Sequence, residues 1–146
     1  MAVDDHARIG FTQMLADERA PSAVAFLRAA LAYYASLGMT VRRLLTDNGS
    51  AFVSRAWRSA CAELGVMHKR TRAYRPQTNG KAERFIQSAL REWAYGIAYN
   101  HSSERTAMLD KWMHHYNWHR PHAGIGGYPP MSRLSASGNN VLTLHS

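Results

Sequence analysis

The most informative segment of this chain for its fold is Val41-Arg42-Arg43-Leu44-Leu45-Thr46-Asp47-Asn48-Gly49-Ser50. Its first half predicts a short strand, and Asp-Asn-Gly is a sequence that turns readily. Asp47 therefore stands where the strand ends, so its carboxylate has a rigid support at the edge of a sheet. This placement suits a metal ligand, although such turns also form for purely structural reasons.

A second carboxylate, Glu83, follows Asp47 after 35 intervening residues and falls in the first turn of a predicted helix. A lone Glu there can simply complement the helix dipole. Glu83 shares a helix side with Ile86 and Gln87, so we expect it to face the sheet, where a carboxylate needs compensation such as a metal ion. Phosphodiester cleavage commonly uses two divalent ions about 3.5–4 Å apart, held by hard oxygen ligands. The two carboxylates are therefore candidates for such a site.

Basic residues cluster around this pair. The chain has a net charge of +8, and the segment from Val66 to Glu92 holds seven Lys or Arg residues against two Glu residues. A basic cluster beside a candidate metal site suits a polyanionic substrate. The alternative is a solvated basic surface that has no partner.

Strands and helices alternate along the chain, which predicts an α/β layer fold. The predicted strands are two within residues 1–15, one at residues 41–45 and one at residues 66–69, and the predicted helices cover residues 21–37, 54–64, 81–100 and 103–118. Residues 70–80 predict a mobile loop, because they contain Pro, Thr, Asn and Gly. Residues 120–146 are rich in Gly, Pro, Ser and Asn and predict an irregular tail that wraps the surface.

The sequence gives less support to a membrane protein, a disulfide-bonded protein or a zinc protein. At 46% hydrophobic residues the chain can bury a core, but no apolar run is long enough to predict a membrane span. Cys61 is the single cysteine, which excludes an internal disulfide and fits a reducing cytoplasm. Four histidines near the C-terminal end do not follow a familiar zinc spacing, and Arg120 and His122 are expected to anchor the tail or to approach the site.

Three segments together resemble a known family, the retroviral-integrase-like catalytic core of bacterial insertion-sequence transposases. The matching segments are Leu44-Leu45-Thr46-Asp47-Asn48-Gly49-Ser50-Ala51-Phe52, Thr71-Arg72-Ala73-Tyr74-Arg75-Pro76-Gln77-Thr78-Asn79-Gly80-Lys81-Ala82-Glu83-Arg84-Phe85, and Tyr116-Asn117-Trp118-His119-Arg120-Pro121-His122 with Gly126, Pro129 and Pro130. The resemblance covers nearly the whole chain.

The resemblance implies an RNase H-like mixed sheet flanked by helices, with residues 1–119 as the catalytic core and residues 120–146 as a tail. It implies metal-dependent cleavage and strand transfer on DNA, with Asp47 and Glu83 as catalytic residues and as ligands of Mg²⁺ or Mn²⁺ in a two-ion site. It also implies a homo-oligomer in the bacterial cytoplasm, associated with the nucleoid, with no membrane and no small-molecule substrate. The residues expected to contact DNA are Arg72, Tyr74, Arg75, Asn79, Lys81, Arg84 and Gln87. Asn48 is expected either to support the site or only to form the turn.

The family's first catalytic Asp has no clear counterpart, because Met1 to Gly10 resembles the second strand rather than the first. Asp4 then matches a non-catalytic acidic position, while an alternative register would make Asp4 or Asp5 the third ligand. We expect the first, central strand to precede residue 1. The gap could close by direct pairing of residues 1–10 with residues 41–45, or by a strand from another chain. Whether the chain is an enzyme stays open, since an inactive remnant that binds DNA or oligomerises is the alternative.

Overall fold

The structure is a computed structural model that describes residues 1–71, 80–94, 98–134 and 141–144. Its strands are β1 (Ala2–Asp4), β2 (Gly10–Phe11), β3 (Arg43–Thr46), β4 (Met67–Arg70) and β5 (Val141–Leu144). Its helices are α1 (Ala20–Ser36), α2 (Arg55–Glu63), α3 (Gly80–Ala89) and α4 (Ser102–Trp118). Short 3-10 turns cover Ser50–Val53, Ala123–Ile125 and Pro130–Arg133.

The five strands form one mixed sheet in the order β2-β1-β5-β3-β4. β5 pairs antiparallel with β1 and parallel with β3, and β3 pairs parallel with β4. Helices flank this sheet, so the expected fold class is confirmed. The expected closure of the gap is not what occurs, because β1 pairs with β5 rather than with β3.

The central strand comes from the segment that was predicted to be an irregular tail. Thr143 and Leu144 are 2% and 1% exposed, so residues 141–144 lie inside the sheet of the expected 1–119 core. A strand at this position gives backbone partners to both β1 and β3, whose inner edges would otherwise be unpaired. The prediction of a surface tail is therefore wrong for these four residues.

Two hydrophobic clusters cover the two faces of the sheet. The first packs β-strand residues such as Leu44 and Leu144 against Leu27 of α1 and Trp57 of α2. The second packs residues of β1, α3 and α4, namely Val3, Phe85, Ala89, Trp93, Leu109, Trp112, Met113 and Tyr116. The α3 and α4 helices thus form one layer and the α1 and α2 helices the other.

Local signals in the sequence place the first two helices. Pro21 lies in the first turn of α1, where its missing N–H costs nothing. Ser54 caps α2 by accepting a hydrogen bond from the Trp57 N–H at 3.1 Å. Gly38 and Gly65 follow these helices with φ of 79° and 70°, a conformation that glycine adopts freely. The predicted helices at residues 21–37 and 54–64 are therefore confirmed, with bounds that differ by one residue.

The third helix is shorter than predicted. α3 ends at Ala89 and continues only as a π-helical turn over Leu90–Ala94, while Tyr99 and Asn100 are not helical. The predicted loop between β4 and α3 falls on residues 72–79, which lie outside the described residues. Within the described part of the chain, the helices are all too short or too polar to cross a membrane.

Candidate functional site

Asp47 follows the last residue of β3 and is half-buried. Its Oδ1 accepts a hydrogen bond from the Gly49 N–H at 2.8 Å, which closes the predicted Asp-Asn-Gly turn. A Cβ added to Gly49 would lie 3.0 Å from the same oxygen, so a larger residue here would press on the carboxylate. The carboxylate is therefore fixed at the carboxyl end of a strand.

A relay of side chains from α2 and β4 holds the backbone of Asp47. The Trp57 Nε1–H donates to Nδ1 of His68 at 3.2 Å, and Nε2 of His68 lies 2.7 Å from Oγ1 of Thr46. Because indole nitrogen can only donate, Nδ1 of His68 accepts, and the proton of the neutral ring is on Nε2. The Thr46 hydroxyl then donates to the Asp47 carbonyl at 2.9 Å.

This relay favours an uncharged His68. Burial lowers the pKa of His68, and the nearby Arg70 guanidinium lowers it further. Trp57 and Thr46 are both 0% exposed, so the relay is shielded from water on two sides. Sequence reasoning missed His68, because only the pairing of β4 with β3 brings it beside Thr46.

Asn48 has a turn-forming role in the structure. Its Nδ2 donates to the Thr71 carbonyl at 2.9 Å, and the Thr71 N–H donates to the Thr46 carbonyl at 2.8 Å. Both contacts tie the Asp47 turn to the end of β4. Of the two roles expected for Asn48, the structure therefore accounts for the structural one.

Glu83 lies in the first turn of α3 and is exposed. The buried side of the helix carries Phe85 and Ala89, and the π-helical turn that follows adds Trp93. The expectation that Glu83 faces the sheet is therefore wrong, since the helix is rotated so that Phe85 enters the core. An exposed carboxylate needs no metal ion to offset a cost of burial, and it is free to meet a ligand from solvent.

The 3-10 turn that follows Asp47 and the helix that carries Glu83 border the same cavity. Ala51 and Phe52, which follow the Asp47 turn, line an open cavity of about 480 Å³ together with Ile86 of α3 and Leu144 of β5. Ile86 is one helical turn beyond Glu83. The structure thus brings the two elements to one cleft, although it does not form a cluster of ligands there.

No group of three His, Cys, Asp or Glu side chains in the described residues could hold a metal ion. Asp4 does not complete such a group. It is 2% exposed, its Oδ2 accepts the Ala7 N–H at 2.6 Å, and burial raises its pKa. Asp4 thus stabilises the turn after β1, and Asp5 follows it as a half-buried residue of the same turn.

Only part of the expected DNA-contact set can be placed. Arg84 and Gln87 are exposed on α3. Lys81 belongs to α3, but its side chain lies outside the described part of the structure. Arg72, Tyr74, Arg75 and Asn79 lie outside the described residues altogether.

The segment after α4 is anchored where expected. The Arg120 guanidinium forms an ion pair with Glu92 at 2.8 Å, and its Cζ lies 5.7 Å from the centre of the Tyr116 ring. Burial alone would raise the pKa of Glu92, but the hydrogen bond and charge of Arg120 bring it below its usual value. Arg120 therefore fixes the tail to the turn that continues α3.

Asn117 makes a second anchor that sequence reasoning did not find. Its side chain accepts the Gly10 N–H at 2.8 Å and donates to the Gly10 carbonyl at 2.9 Å, which ties α4 to the edge strand β2. The asparagine is 3% exposed. A polar residue in an aromatic helix face was its only signal in the sequence.

The fold is a mixed α/β core that carries a carboxylate, Asp47, at the end of a strand. Comparison with known families shows which class of protein has this core. Two models described as "Integrase core domain" match, one over residues 1–76 and one over residues 64–130. This chain belongs to the integrase core domain family.

Known proteins and structures resemble the chain to different extents. Transposase InsD for insertion element IS2A/D/F/H/I/K of Escherichia coli is 31% identical over 100 residues, which are 68% of this chain and 33% of InsD. The uncharacterized protein K02A2.6 of Caenorhabditis elegans is 32% identical over 89 residues, 60% of this chain and 7% of that protein. The chain thus spans a third or less of the length of these two relatives.

Two solved structures share the fold. The catalytic core domain of BIV integrase has a TM-score of 0.67 at 22% identity, over 89% of this chain and 80% of that one. A chain of the simian T-cell lymphotropic virus intasome in complex with PP2A regulatory subunit B56 gamma has a TM-score of 0.71 at 20% identity. That match covers 93% of this chain and 47% of the other.

Proposed function

We propose that this chain is the catalytic core of a DNA transposase, in which Asp47 and Glu83 bind Mg²⁺ or Mn²⁺ for phosphodiester cleavage and strand transfer. One observation carries the proposal: the 3-10 turn Ser50–Val53, which follows the Asp47 turn, and the helix of Glu83 border a single cleft through Ala51, Phe52 and Ile86. Membership of the integrase core domain family supports it.

Asp47 and Glu83 supply the type of donor that one hydrated ion takes. Mg²⁺ is commonly held by one or two carboxylates, with water and substrate phosphate oxygens completing its shell. Asp47 offers an oriented carboxylate and Glu83 an exposed one. A pair of ions would need a further carboxylate, and the described residues supply none that completes a group.

Held by Asp47 and Glu83, a metal ion would supply activation of a water or a 3′-hydroxyl for attack on the phosphorus and stabilisation of the leaving oxygen. The chain's own residues supply orientation. The relay of Trp57, His68 and Thr46 holds the Asp47 backbone, and the Gly49 N–H holds one carboxylate oxygen. Arg84 and Gln87, exposed on the same helix as Glu83, contact the DNA backbone in this proposal.

The partners follow from the same proposal. DNA is the substrate, with the expected contacts at Arg72, Tyr74, Arg75, Asn79 and Lys81 added to those on α3, and the working form is a homo-oligomer in the bacterial cytoplasm. The matched intasome is part of a complex, and the matched InsD protein is a transposase. No membrane and no small-molecule substrate enter the proposal.

The second candidate is a catalytically inactive remnant that binds DNA or oligomerises. The hydrogen bond of Asp4 favours this candidate, because it occupies a carboxylate that could otherwise serve as a third metal ligand. The Asp4 carboxylate accepts a hydrogen bond from the Ala7 N–H. The residues of β5 are Val, Leu, Thr and Leu, so this strand supplies no further carboxylate for a metal ion. Both candidates include DNA binding, but only the transposase core cleaves DNA.

Cleavage of supercoiled plasmid in Mn²⁺ tests the proposal. The wild-type chain is expected to nick the plasmid, and Asp47→Asn and Glu83→Gln to abolish nicking while the free energy of unfolding is unchanged. Ser50→Ala, an exposed change beside the same turn, is the matched control and should keep activity. If the wild-type chain binds DNA but shows no nicking above that of Asp47→Asn, the inactive remnant is the correct description.

A further inference from the structure

A second cavity lies on the α2 side of β4. Its volume is about 480 Å³, which is within the range of pockets that hold small ligands. Its walls come from the 3-10 turn Ser50–Val53, from α2 and from β4, and of its described lining residues it shares only Phe52 with the cleft beside α3. We call it the basic pocket, after the two arginines that line it, Arg58 and Arg70.

Both arginines of the basic pocket are exposed to solvent. Arg58 belongs to α2 and Arg70 is the last residue of β4. The ion pairs recorded among the described residues involve other arginines, and the described lining of the pocket contains neither Asp nor Glu. The pocket therefore offers positive charge that is not neutralised by the described residues and that an anion can reach from solvent.

The floor of the basic pocket is apolar. Phe52, Cys61 and Val66 line it and are 4%, 4% and 8% exposed, while the lining residue Val53 is 41% exposed. Ligand sites commonly combine apolar walls with a few polar groups that fix the orientation of the ligand. A ligand that suits this pocket therefore joins an anionic group to an apolar framework.

The pairing of β4 with β3 places the basic pocket next to the candidate site. Arg70 lies opposite Thr46, the residue before Asp47, and neighbouring strands are roughly 5 Å apart. His68, two residues before Arg70 and on the same side of the strand, lines the pocket and also contacts Thr46 in the relay that holds the Asp47 backbone. A ligand in the pocket therefore lies one strand away from Asp47.

We infer that the basic pocket holds one sugar–phosphate unit of a DNA strand, with the phosphate bound by Arg58 and Arg70 and the deoxyribose on the apolar floor. Guanidinium groups donate paired hydrogen bonds to phosphate oxygens, and such contacts fix the position of a strand without reading its sequence. The inference rests on the proposed function in taking DNA as the source of the phosphate. The site is additional to the expected DNA contacts, all of which fall within residues 72–87.

Removal of one arginine at a time tests the charge of the basic pocket. Binding of a fluorescently labelled duplex is measured by anisotropy in EDTA, so that metal binding plays no part. We expect Arg58→Gln and Arg70→Gln each to raise the Kd by roughly three- to tenfold and to lower the slope of log Kd against log salt concentration by about one. Arg55→Gln, at an exposed arginine of α2 outside the described lining, is the matched control and should leave the Kd within about twofold.

A larger side chain in the basic pocket tests its shape without any change of charge. Ala62 is exposed and lines the pocket, so Ala62→Leu places an isopropyl group there and should raise the Kd by roughly three- to tenfold. Ala56→Leu, at an exposed alanine of the same helix outside the described lining, should leave the Kd within about twofold. The double variant Ala62→Leu/Arg58→Gln should bind no more weakly than the weaker single variant, because both changes remove the same contact.

The inference is overturned if Ala62→Leu binds the duplex as the wild-type chain does, or if Arg55→Gln weakens binding as much as Arg58→Gln. It is also overturned if inorganic phosphate raises the Tm of the wild-type chain but not of Arg58→Gln while both bind the duplex equally, because the pocket then serves a free anion. These results are independent of the nicking assay. The basic pocket can fail while Asp47-dependent cleavage persists, and cleavage can be absent while Ala62→Leu still weakens binding.

Discussion

Thr143 of β5 lies in register with Leu45 of β3, two residues before Asp47. The strand beside the candidate site thus comes from residues 141–144 and runs parallel toward the site. Its four residues are Val, Leu, Thr and Leu, so it brings no carboxylate next to Asp47. The sheet is complete at this position, whereas the proposed set of metal ligands is not.

The central position of β5 predicts that its side chains carry much of the stability. Leu144→Ala should lower the free energy of unfolding by about 2–4 kcal/mol, because the side chain is 1% exposed and packs with Leu44 and Trp57 in one cluster. Leu90→Ala is the matched control, since Leu90 is 40% exposed and its loss should cost within about 0.5 kcal/mol. Urea denaturation measures both, and equal costs would contradict a buried β5.

His68 predicts a pH dependence of stability. Its pKa in the folded chain lies below the ordinary value of 6.5, since burial and Arg70 both disfavour the charged ring. Below that pH the unfolded chain binds a proton that the folded chain does not, so stability falls as the pH falls through 6.5 toward the folded pKa. Protonation would also break the bond from the Trp57 indole.

Urea denaturation at several pH values between 5 and 8 checks this dependence. His68→Gln should flatten the loss of stability on the acid side. His101→Gln, which removes an exposed histidine, is the control. A steep acid loss that persists unchanged in His68→Gln would show that other groups cause it.

The close contact between Gly49 and Asp47 predicts that activity depends on where the Asp47 carboxylate is held. In Gly49→Ala the new methyl group would meet Oδ1 of Asp47 at 3.0 Å and force it to move. A shift of a few tenths of an ångström relieves this contact. We therefore expect Mn²⁺-dependent nicking to fall by up to about tenfold, because a misplacement of about 1 Å can cost on the order of a hundredfold. Nicking by Gly49→Ala at the level of the Ser50→Ala control would argue that Asp47 need not be held in this turn.

Removal of the Asn117 side chain is predicted to lower the free energy of unfolding without a direct effect on catalysis. Asn117→Ala leaves the N–H and the carbonyl of Gly10 without their partner and should cost about 1–3 kcal/mol of unfolding free energy. Asn100→Ala, on an exposed residue before α4, should cost little. Thermal unfolding of the two variants compares the costs, and similar melting temperatures would contradict the role of Asn117 as a clamp.

The sequence predicted those features that depend on neighbouring residues. The end of β3 at Asp47 and the bounds of the first two helices depend on local residues, and the structure has each of them to within one residue. The side of α3 that carries Glu83 was predicted wrongly, because Ile86 and Leu90 fit an apolar stripe as well as Phe85 and Ala89 do. Packing against α4 decides between the two stripes.

The features that the sequence did not predict depend on pairing between distant segments. His68 joins the Asp47 relay only because β4 pairs with β3 in the register that places His68 opposite Leu44. The segment around Val141 has a strand-like composition, but nothing in it indicates which gap it fills. Its place follows from the unpaired edges of β1 and β3, which are a property of the whole sheet.

The central place of β5 also means that the sheet is completed late in the synthesis of the chain. Residues 2–4 and residues 43–46 leave the ribosome well before residues 141–144, yet they are joined only through that later segment. During synthesis both older strands therefore present bare edges that can capture other chains. The native sheet can form only after translation has passed residue 144, so the inner edges of both older strands stay unpaired until then.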